Sequence, residues 1–429
     1  MNDLLRIALD RRSILKASLL SFIPIASAEA ASLSLSTKVT TPIGSNSARI
    51  QIITNQSVNV YIEYGFTRAR YTFKSSVLAA KPGSNNFLAL TNLKAQTKVY
   101  YRLRYSLKTS ANYLAKTEQN FLTSAVTSNS TFAVQADPHM DNNSSAEVYT
   151  KTLEQIAAIS PAFLMDLGDI FMVDKLPDKS EANIRARFEL MQGFYKKIGN
   201  VPLKICLGNH DGELGYSKFN TKNYRKEYFP EQTGELAYYS FEGPDQLHVV
   251  LDPFTYTTSS PKDDGWQWTL GKVQYDWLSS TLANSKATHK FIYIHHLLVG
   301  NATSRGGVEV AMRNEWGGKN NDGSYGFEQN RPGWGKPVHQ LLLENNVGFV
   351  FKGHDHLYVK QELDGIIYQT LPQPSHPGEK IDVKQYGYLS GKGVGGSGFL
   401  RVRTDAKIAF VDFIKFDGSI GDSYTKVMN

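Results

Sequence analysis

Five times in this chain a short apolar run ends in a cluster of oxygen- and nitrogen-bearing side chains. The clusters are Asp137-Pro138-His139, Gly168-Asp169, Gly208-Asn209-His210-Asp211, His295-His296 and Gly353-His354-Asp355-His356. The run before the third, Leu203-Lys204-Ile205-Cys206-Leu207, reads as a short buried strand, and a glycine straight after it lets the backbone turn sharply. A chain whose strands end this way again and again has few architectures open to it, because open α/β sheets gather ligands at the carboxyl edges of their strands. Six of the ten histidines fall inside these clusters, so the imidazoles are concentrated at strand ends.

The periodicity around the clusters agrees. Residues 131–136 form a strand pattern running into Asp137. Ser144 and Glu147 make a capping box, followed by Tyr149, Leu153 and Ile156 at helical spacing, and Pro161 closes that helix. Residues 162–167 are the next strand, and Ile184, Phe188, Met191 and Tyr195 mark a second amphipathic helix. A hairpin joins 238–241 to 247–251. A helix with Gln274, Trp277, Leu278 and Leu282 precedes the strand 291–294. Helix 338–345, strand 347–351 and closing strands at 399–403 and 408–413 complete the pattern. Residues 300–336 read as a long loop with nine glycines and with Arg313, Trp316, Arg331 and Trp334, either a lid with an anion clamp or plain loop packing. The glycine-rich stretch 386–398 lacks the Gly-Lys-Ser/Thr ending of a phosphate loop and leads into a strand, so it reads as a turn.

Residues 32–124 differ. Ile50 and Ile52, then Val58, Val60, Ile62 and Tyr64, then Leu88 and Leu90, then Val99, Tyr101, Leu103 and Tyr105 alternate with polar residues between turn signals. That is the pattern of an all-β sandwich of about seven strands. Residues 126–130, rich in Ser and Thr, read as the linker to the α/β part.

A length of 429 residues suggests about two or three domains. The net charge of +7 suits an anionic substrate, but no basic stripe marks a nucleic-acid groove. Cys206, the single cysteine, cannot form an internal disulfide and reads as an inert buried thiol. Residues 1–30 read as a removable targeting segment, in which Arg11-Arg12-Ser13-Ile14-Leu15-Lys16 precedes a short apolar stretch and a small-residue cleavage site. Its nine apolar-rich residues, interrupted by Ser18, Ser21 and Pro24, cannot span ~30 Å of hydrocarbon. The segment looks like a bacterial twin-arginine export signal. The mature chain is then expected to be periplasmic or secreted, with no membrane span.

The clusters supply ligands for a hard or borderline divalent ion: carboxylate and amide oxygens and imidazole nitrogens. In an extended chain, residues two apart lie on the same side, so Asp-X-His can aim both side chains at one ion. With no cysteine among the five clusters, a finger-type zinc site is excluded. Taken in order, the five motifs over residues 130–429 resemble the calcineurin-like metallophosphoesterase family: Asp-X-His, Gly-Asp, Gly-Asn-His-Asp/Glu, a later His, then Gly-His-X-His. The segment Val60-Tyr61-Ile62-Glu63-Tyr64-Gly65, with Leu90, Leu93, Thr97 and Tyr100-Tyr101-Arg102, resembles the fibronectin type III-like domain that precedes the catalytic domain in purple acid phosphatases.

The resemblance implies a four-layer α/β/β/α sandwich at 130–429, a β-sandwich at 31–126 and a pair of transition-metal ions, divalent or mixed-valence (Fe, Mn or Zn). Asp137, His139, Asp169 and His356 would hold the first ion. Asp169, Asn209, His295 and His354 would hold the second, with Asp169 shared. His295 is taken over His296 as the first residue of a His-X-Pro-like element, although Leu297 stands where that proline belongs. The implied reaction is hydrolysis of a small-molecule phosphate ester by in-line attack of a hydroxide bridging ions ~3.5–4 Å apart. Two divalent cations carry four positive charges; Asp137, Asp169 and the hydroxide remove three, and the remainder favours an anionic phosphate. His210 would protonate the leaving oxygen or stabilise the transition state, with Asp211 orienting it or serving the structure. Met172 stands three residues after Asp169, where purple acid phosphatases have their metal-binding tyrosine, so no purple phenolate-to-iron band is expected. Phosphomonoesterase activity is the first expectation and phosphodiesterase the alternative. A contrasting class is a non-enzymatic surface or carbohydrate-binding protein with a vestigial metal site.

Overall fold

Phe291 and Tyr293 point to one side of their strand and Ile292 to the other, and that alternation builds the α/β part of the molecule. In the computed structural model, which describes residues 32–40, 47–84, 86–107, 112–123, 130–212, 222–229, 236–254, 265–299, 305–378 and 381–428, two mixed sheets face each other. The first has the order Leu203–Ile205, Leu164–Asp166, Ser130–Gln135, Gly398–Asp405, Ile408–Lys415, Ile420–Val427. The second runs Tyr239–Gly243, Gln246–Val250, His289–Ile294, Phe349–Lys352, Ile366–Thr370, Tyr358–Leu363, Lys392–Val394. Phe132, Val134, Met165, Phe291, Tyr293, Phe349, Phe351 and Leu400 fill the space between them.

The opposite faces carry the helices. Ala133 and Leu164 meet Tyr149, Leu153 and Ile156 of helix Ala146–Ala158 and Ile184, Phe188 and Met191 of helix Glu181–Tyr195. Val249, Ile292 and Val350 meet helices Lys272–Asn284 and Val338–Glu344 through Tyr275, Leu278, Leu341 and Leu342. Because period-two strands have two apolar faces here, each sheet needs a helix layer outside and its partner sheet inside. The result is the four-layer α/β/β/α arrangement.

Three strands of the first sheet, Ser130–Gln135, Leu164–Asp166 and Leu203–Ile205, are parallel, as are His289–Ile294 and Phe349–Lys352 of the second. Their carboxyl ends therefore emerge at common edges, and those ends lead into the five clusters. The N-terminal region is all antiparallel, with sheets Leu35–Thr40, Ala48–Thr54, Asn86–Leu90 and Phe73–Lys74, Val58–Gly65, Lys98–Leu107, Leu114–Ala115, to which Leu78–Ala80 and Gln119–Leu122 add. Ile50, Ile52, Val60, Ile62, Leu88, Val99 and Leu103 fill its core. Its described residues hold nine strands rather than about seven, two of them only two residues long.

Local details shift by a residue or two. The first helix is capped by Ser145, whose side chain accepts from Val148 N–H, while Ser144 turns its hydroxyl to Asp141. From Arg305 onward the long loop is folded, with short helices Val308–Ala311, Asn314–Gly317 and Phe327–Asn330. Buried Trp316 donates to Tyr368 Oη at 2.9 Å, and Arg331 is bound to Glu315 at 2.5 Å between the rings of Trp266 and Trp334. Trp316, Trp334 and Arg331 are thus packing rather than an anion clamp. Residues 1–30 and most of the linker at 126–130 lie outside the described residues. No helix among the described residues is long and apolar enough to cross a membrane.

Candidate metal centre

Two loops cross in contact at the heart of the site, and glycine makes this crossing feasible. A Cβ on Gly168, where φ is +101°, would meet Gly208 N at 2.3 Å, and a Cβ on Gly208 would meet Asp169 N at 2.1 Å. Any side chain at either position would push Asp169 away from Asn209. Asp211 secures the same crossing. Its two oxygens accept the backbone N–H groups of Gly208 (2.7 Å), Asp169 (3.0 Å), Ile170 (2.8 Å) and Phe171 (2.8 Å).

The crossing and the neighbouring strand ends bring seven side chains together. One group is Asp137, His139 and His356 and the other Asp169, His295 and His354; within each, one ligand atom per residue lies within 4.8 Å of the others. Asp169 stands between the groups, its Oδ2 at 3.5 Å from His139 Nε2 and 3.4 Å from His295 Nε2. Asn209 Oδ1 is 3.0 Å from His295 Nε2. On the other side Asp137 Oδ1 is 3.6 Å from His356 Nε2 and 3.9 Å from His139 Nε2. Two atoms each about 2.1 Å from one ion lie roughly 3.0–3.4 Å apart, so these spacings, from 3.0 to 3.9 Å, lie at that range or up to half an ångström beyond it. His139 Nε2 is buried without a hydrogen bond, an orphan that a cation would satisfy.

Five of the seven do not reach these places through extended chain. Asp137, His139, Asp169, His354 and His356 all have positive φ, between 50° and 71°. Asp137 and His139 therefore share a target because the loop coils, and the extended-chain argument for Asp-X-His is replaced. Left-handed backbone at non-glycine residues is costly and persists only where surrounding bonds enforce it. Here Asp137 N–H donates to Gly168 O, His139 N–H to Asp169 O, and His354 N–H to the Asp137 carboxylate at 2.8 Å.

The buried carboxyls and imidazoles shift one another. Burial raises Asp137, to about 6, against the pull of His295. Burial would raise Asp169 as well, but His295, His139 and His210 outweigh it and hold that carboxyl well below its usual range. Burial works to lower His295, yet Asp169 and Asp137 lift it to about 9. Burial, then the charge of His295, keeps His354 well below its ordinary value, and burial with His139 takes His356 to about 3. His354 and His356 are thus neutral imidazoles, the form that ligates.

Of the two adjacent histidines, His295 faces the centre, its Nδ1 fixed by Leu167 O at 2.8 Å. His296 turns to Phe254 and Trp268, and burial lowers it to about 3. His210 lies at the rim, its Nε2 3.9 Å from Asp169 Oδ2. The carboxylate beside its Nδ1 is Asp174, at 2.8 Å, and not Asp211, which the turn amides occupy. Asp166 faces away, bonded to Tyr195 Oη and Gln135 Nε2 at 2.6 Å each.

Two contributors went unread in the sequence. Arg187 donates to Phe171 O (3.0 Å), Met140 O (3.0 Å) and His139 O (2.5 Å), tying two ligand loops to helix Glu181–Tyr195. An arginine immediately before Phe188, near the helix's apolar stripe, was the available signal. Buried Asp355 accepts from Lys352 at 2.8 Å and from Tyr388, anchoring the loop between His354 and His356.

Known proteins share this fold. The fold is similar to that of a purple acid phosphatase from yellow lupin (Lupinus luteus) seeds, at 14% identity over 91% of this chain and 74% of that one, with a TM-score of 0.52. It is similar also to PhoD, at 13% identity over 92% of this chain and 90% of that one, with a TM-score of 0.53. No curated protein matches the sequence. Residues 130–358, more than half of the chain, match the family model described as calcineurin-like phosphoesterase, and the chain belongs to that family.

Proposed function

We propose that this chain is an exported phosphomonoesterase whose centre holds two transition-metal ions, of iron, manganese or zinc. Asp137, His139, Asp169 and His356 hold one ion; Asp169, Asn209, His295 and His354 hold the other. The observation that carries the reading is the position of Asp169 Oδ2, within 3.5 Å of a histidine from each group. Membership of a family that normally binds two metal ions supports it, as does the similarity to a phosphatase. The segment 1–30 supports export.

When bound, such a pair of cations supplies positive charge for phosphoryl oxygens and acidifies water for attack on phosphorus. The chain's own groups do the rest. Asp137 and Asp169 offset part of the positive charge and leave an excess that selects an anion. His210 Nδ1 donates to Asp174, which fixes the ring and turns Nε2 to the side of the centre, where the doubly protonated ring would hold the proton for the leaving oxygen. Asp211 holds the crossing turns in place and acts through their geometry.

Metal analysis together with parallel assays on a phosphomonoester and a bis-ester tests the reading. Asp169→Ala is expected to lose both ions by atomic absorption and to lose activity. Retention of both ions would reject the shared ligand, and a bis-ester hydrolysed faster than the monoester would reassign the reaction.

A further inference from the structure

A cavity of ≈ 200 Å³ lies beside the centre, with His356 in its wall. We propose that it binds the leaving group of the ester, and that this group is a single neutral ring bearing hydroxyls, a sugar or a cyclitol. The inference rests on the phosphomonoesterase reading and adds the substrate class to it. His356 is both a wall of the cavity and a member of the Asp137 group, so an ester with phosphorus at the centre has its alcohol side at the cavity mouth.

Size sets the first limit. A cavity of about 150 Å³ takes one benzene ring, whereas sites for larger ligands run to roughly 300–1,000 Å³. The cavity therefore holds one six-membered ring, and a nucleoside would have to leave its base or its ribose outside. Charge sets the second. Among the described residues no lysine or arginine lines it, and its one carboxylate, buried Asp355, holds Oδ2 against Lys352, Tyr388 and the Gly306 amide while Oδ1 has no hydrogen bond, so the wall disfavours a second anion.

Polarity sets the third. Pro372, Ile381 and Tyr386 form apolar wall, and Tyr386 is pinned by the Arg305 guanidinium, 4.4 Å over its ring. Buried Gln373 donates through Nε2 to the hydroxyls of Ser144 and Ser375, each at 3.0 Å. Those hydroxyls spend their own protons on Asp141 and Pro138 O. The amide orientation is thereby forced, and the Gln373 carbonyl oxygen is the acceptor offered to the cavity. At the rim, Gly378 N–H donates to His376 Nδ1 at 2.9 Å, so the neutral ring carries its proton on Nε2 as a donor. A plain hydrocarbon ring would leave the Gln373 oxygen desolvated and unpaired. A hydroxylated ring lays its C–H face on Tyr386 and satisfies both polar groups.

The test compares kcat/KM of the metal-loaded enzyme for methyl phosphate, cyclohexyl phosphate, myo-inositol 1-phosphate and glucose 1-phosphate. At least one hydroxylated ring is expected to exceed cyclohexyl phosphate by about tenfold, the worth of a satisfied buried hydrogen bond, and whichever is higher separates cyclitol from sugar. Tyr386→Ala is expected to lower the ratio of hydroxylated-ring ester to methyl phosphate by about tenfold, and Ile381→Trp, which fills the cavity, to lower it independently. Equal kcat/KM for all four esters, or cyclohexyl phosphate as the best, overturns the proposal while leaving the phosphomonoesterase reading intact. Saturation-transfer NMR on myo-inositol 1-phosphate and glucose 1-phosphate decides the cavity even if no ester is hydrolysed. Saturation of ring protons that Tyr386→Ala reduces supports it, and no saturation in wild type overturns it.

Discussion

His210 and Asp174 meet across 36 residues of chain, and their contact shows why the motif alone misdirects. The carboxylate next to His210 in sequence, Asp211, is drawn into the turn because four amide donors lack another acceptor there. The partner comes instead from the short 3₁₀ turn Val173–Lys175 after the Gly-Asp cluster. His210→Ala is expected to keep both ions and to slow turnover by about 10²–10⁴-fold; wild-type turnover would remove His210 from the chemistry. Asp174→Asn is expected to keep the ions while lowering kcat by about 10–100-fold, the usual cost of losing an outer partner. Partial recovery in Asp174→Glu with unchanged KM would mark Asp174 as a positioning residue, and an unaltered kcat in Asp174→Asn would rule that out.

The strand Leu164–Asp166 carries its own pH signature. Asp166 is fully buried against Tyr195 and Gln135, and burial pushes its carboxyl from an ordinary 3.8 up to about 7. With the folded pKa above the unfolded one, the native state keeps a proton that the unfolded chain has released. This group's contribution is therefore best below about pH 4, declines as pH rises to about 7 and is level beyond. A shift of about three units corresponds to at most about 4 kcal/mol. Urea titrations of wild type and Asp166→Asn at pH 4 and pH 7 are expected to show a smaller loss of stability with pH in the variant. Parallel losses would mean that Asp166 does not titrate in this window.

Across the whole molecule, the centre ties the two sheets to each other. Asp137, Asp169 and Asn209 come from the first sheet's strand ends, and His295 and His354 from the second's. Metal binding should then stabilise the four-layer unit as well as activate it. A ligand at about a thousand times its Kd adds about 4 kcal/mol, and each kcal/mol moves Tm by about 2–4 °C in a domain of about 150–250 residues. Stripping the reconstituted protein with a chelator is expected to lower Tm by on the order of 10 °C in calorimetry. An unchanged Tm would mean that the sheets do not depend on the ions.

The sequence by itself determined the alternation of strands and helices in 130–429, the short-strand pattern before it and the ligand types at five strand ends. Each of these is a local property, set by side-chain periodicity of 2.0 or 3.6 and by glycine at a turn. Only the tertiary structure decided that His295 rather than His296 faces Asp169, that Asp174 pairs with His210, and that Arg187 binds two loops. It also replaced extended Asp-X-His geometry with left-handed backbone and folded the 305–336 segment around Trp316 and Arg331. Those outcomes depend on distances between segments far apart in the chain. Such distances are set by which faces two sheets and four helices must bury together, and no local pattern records them.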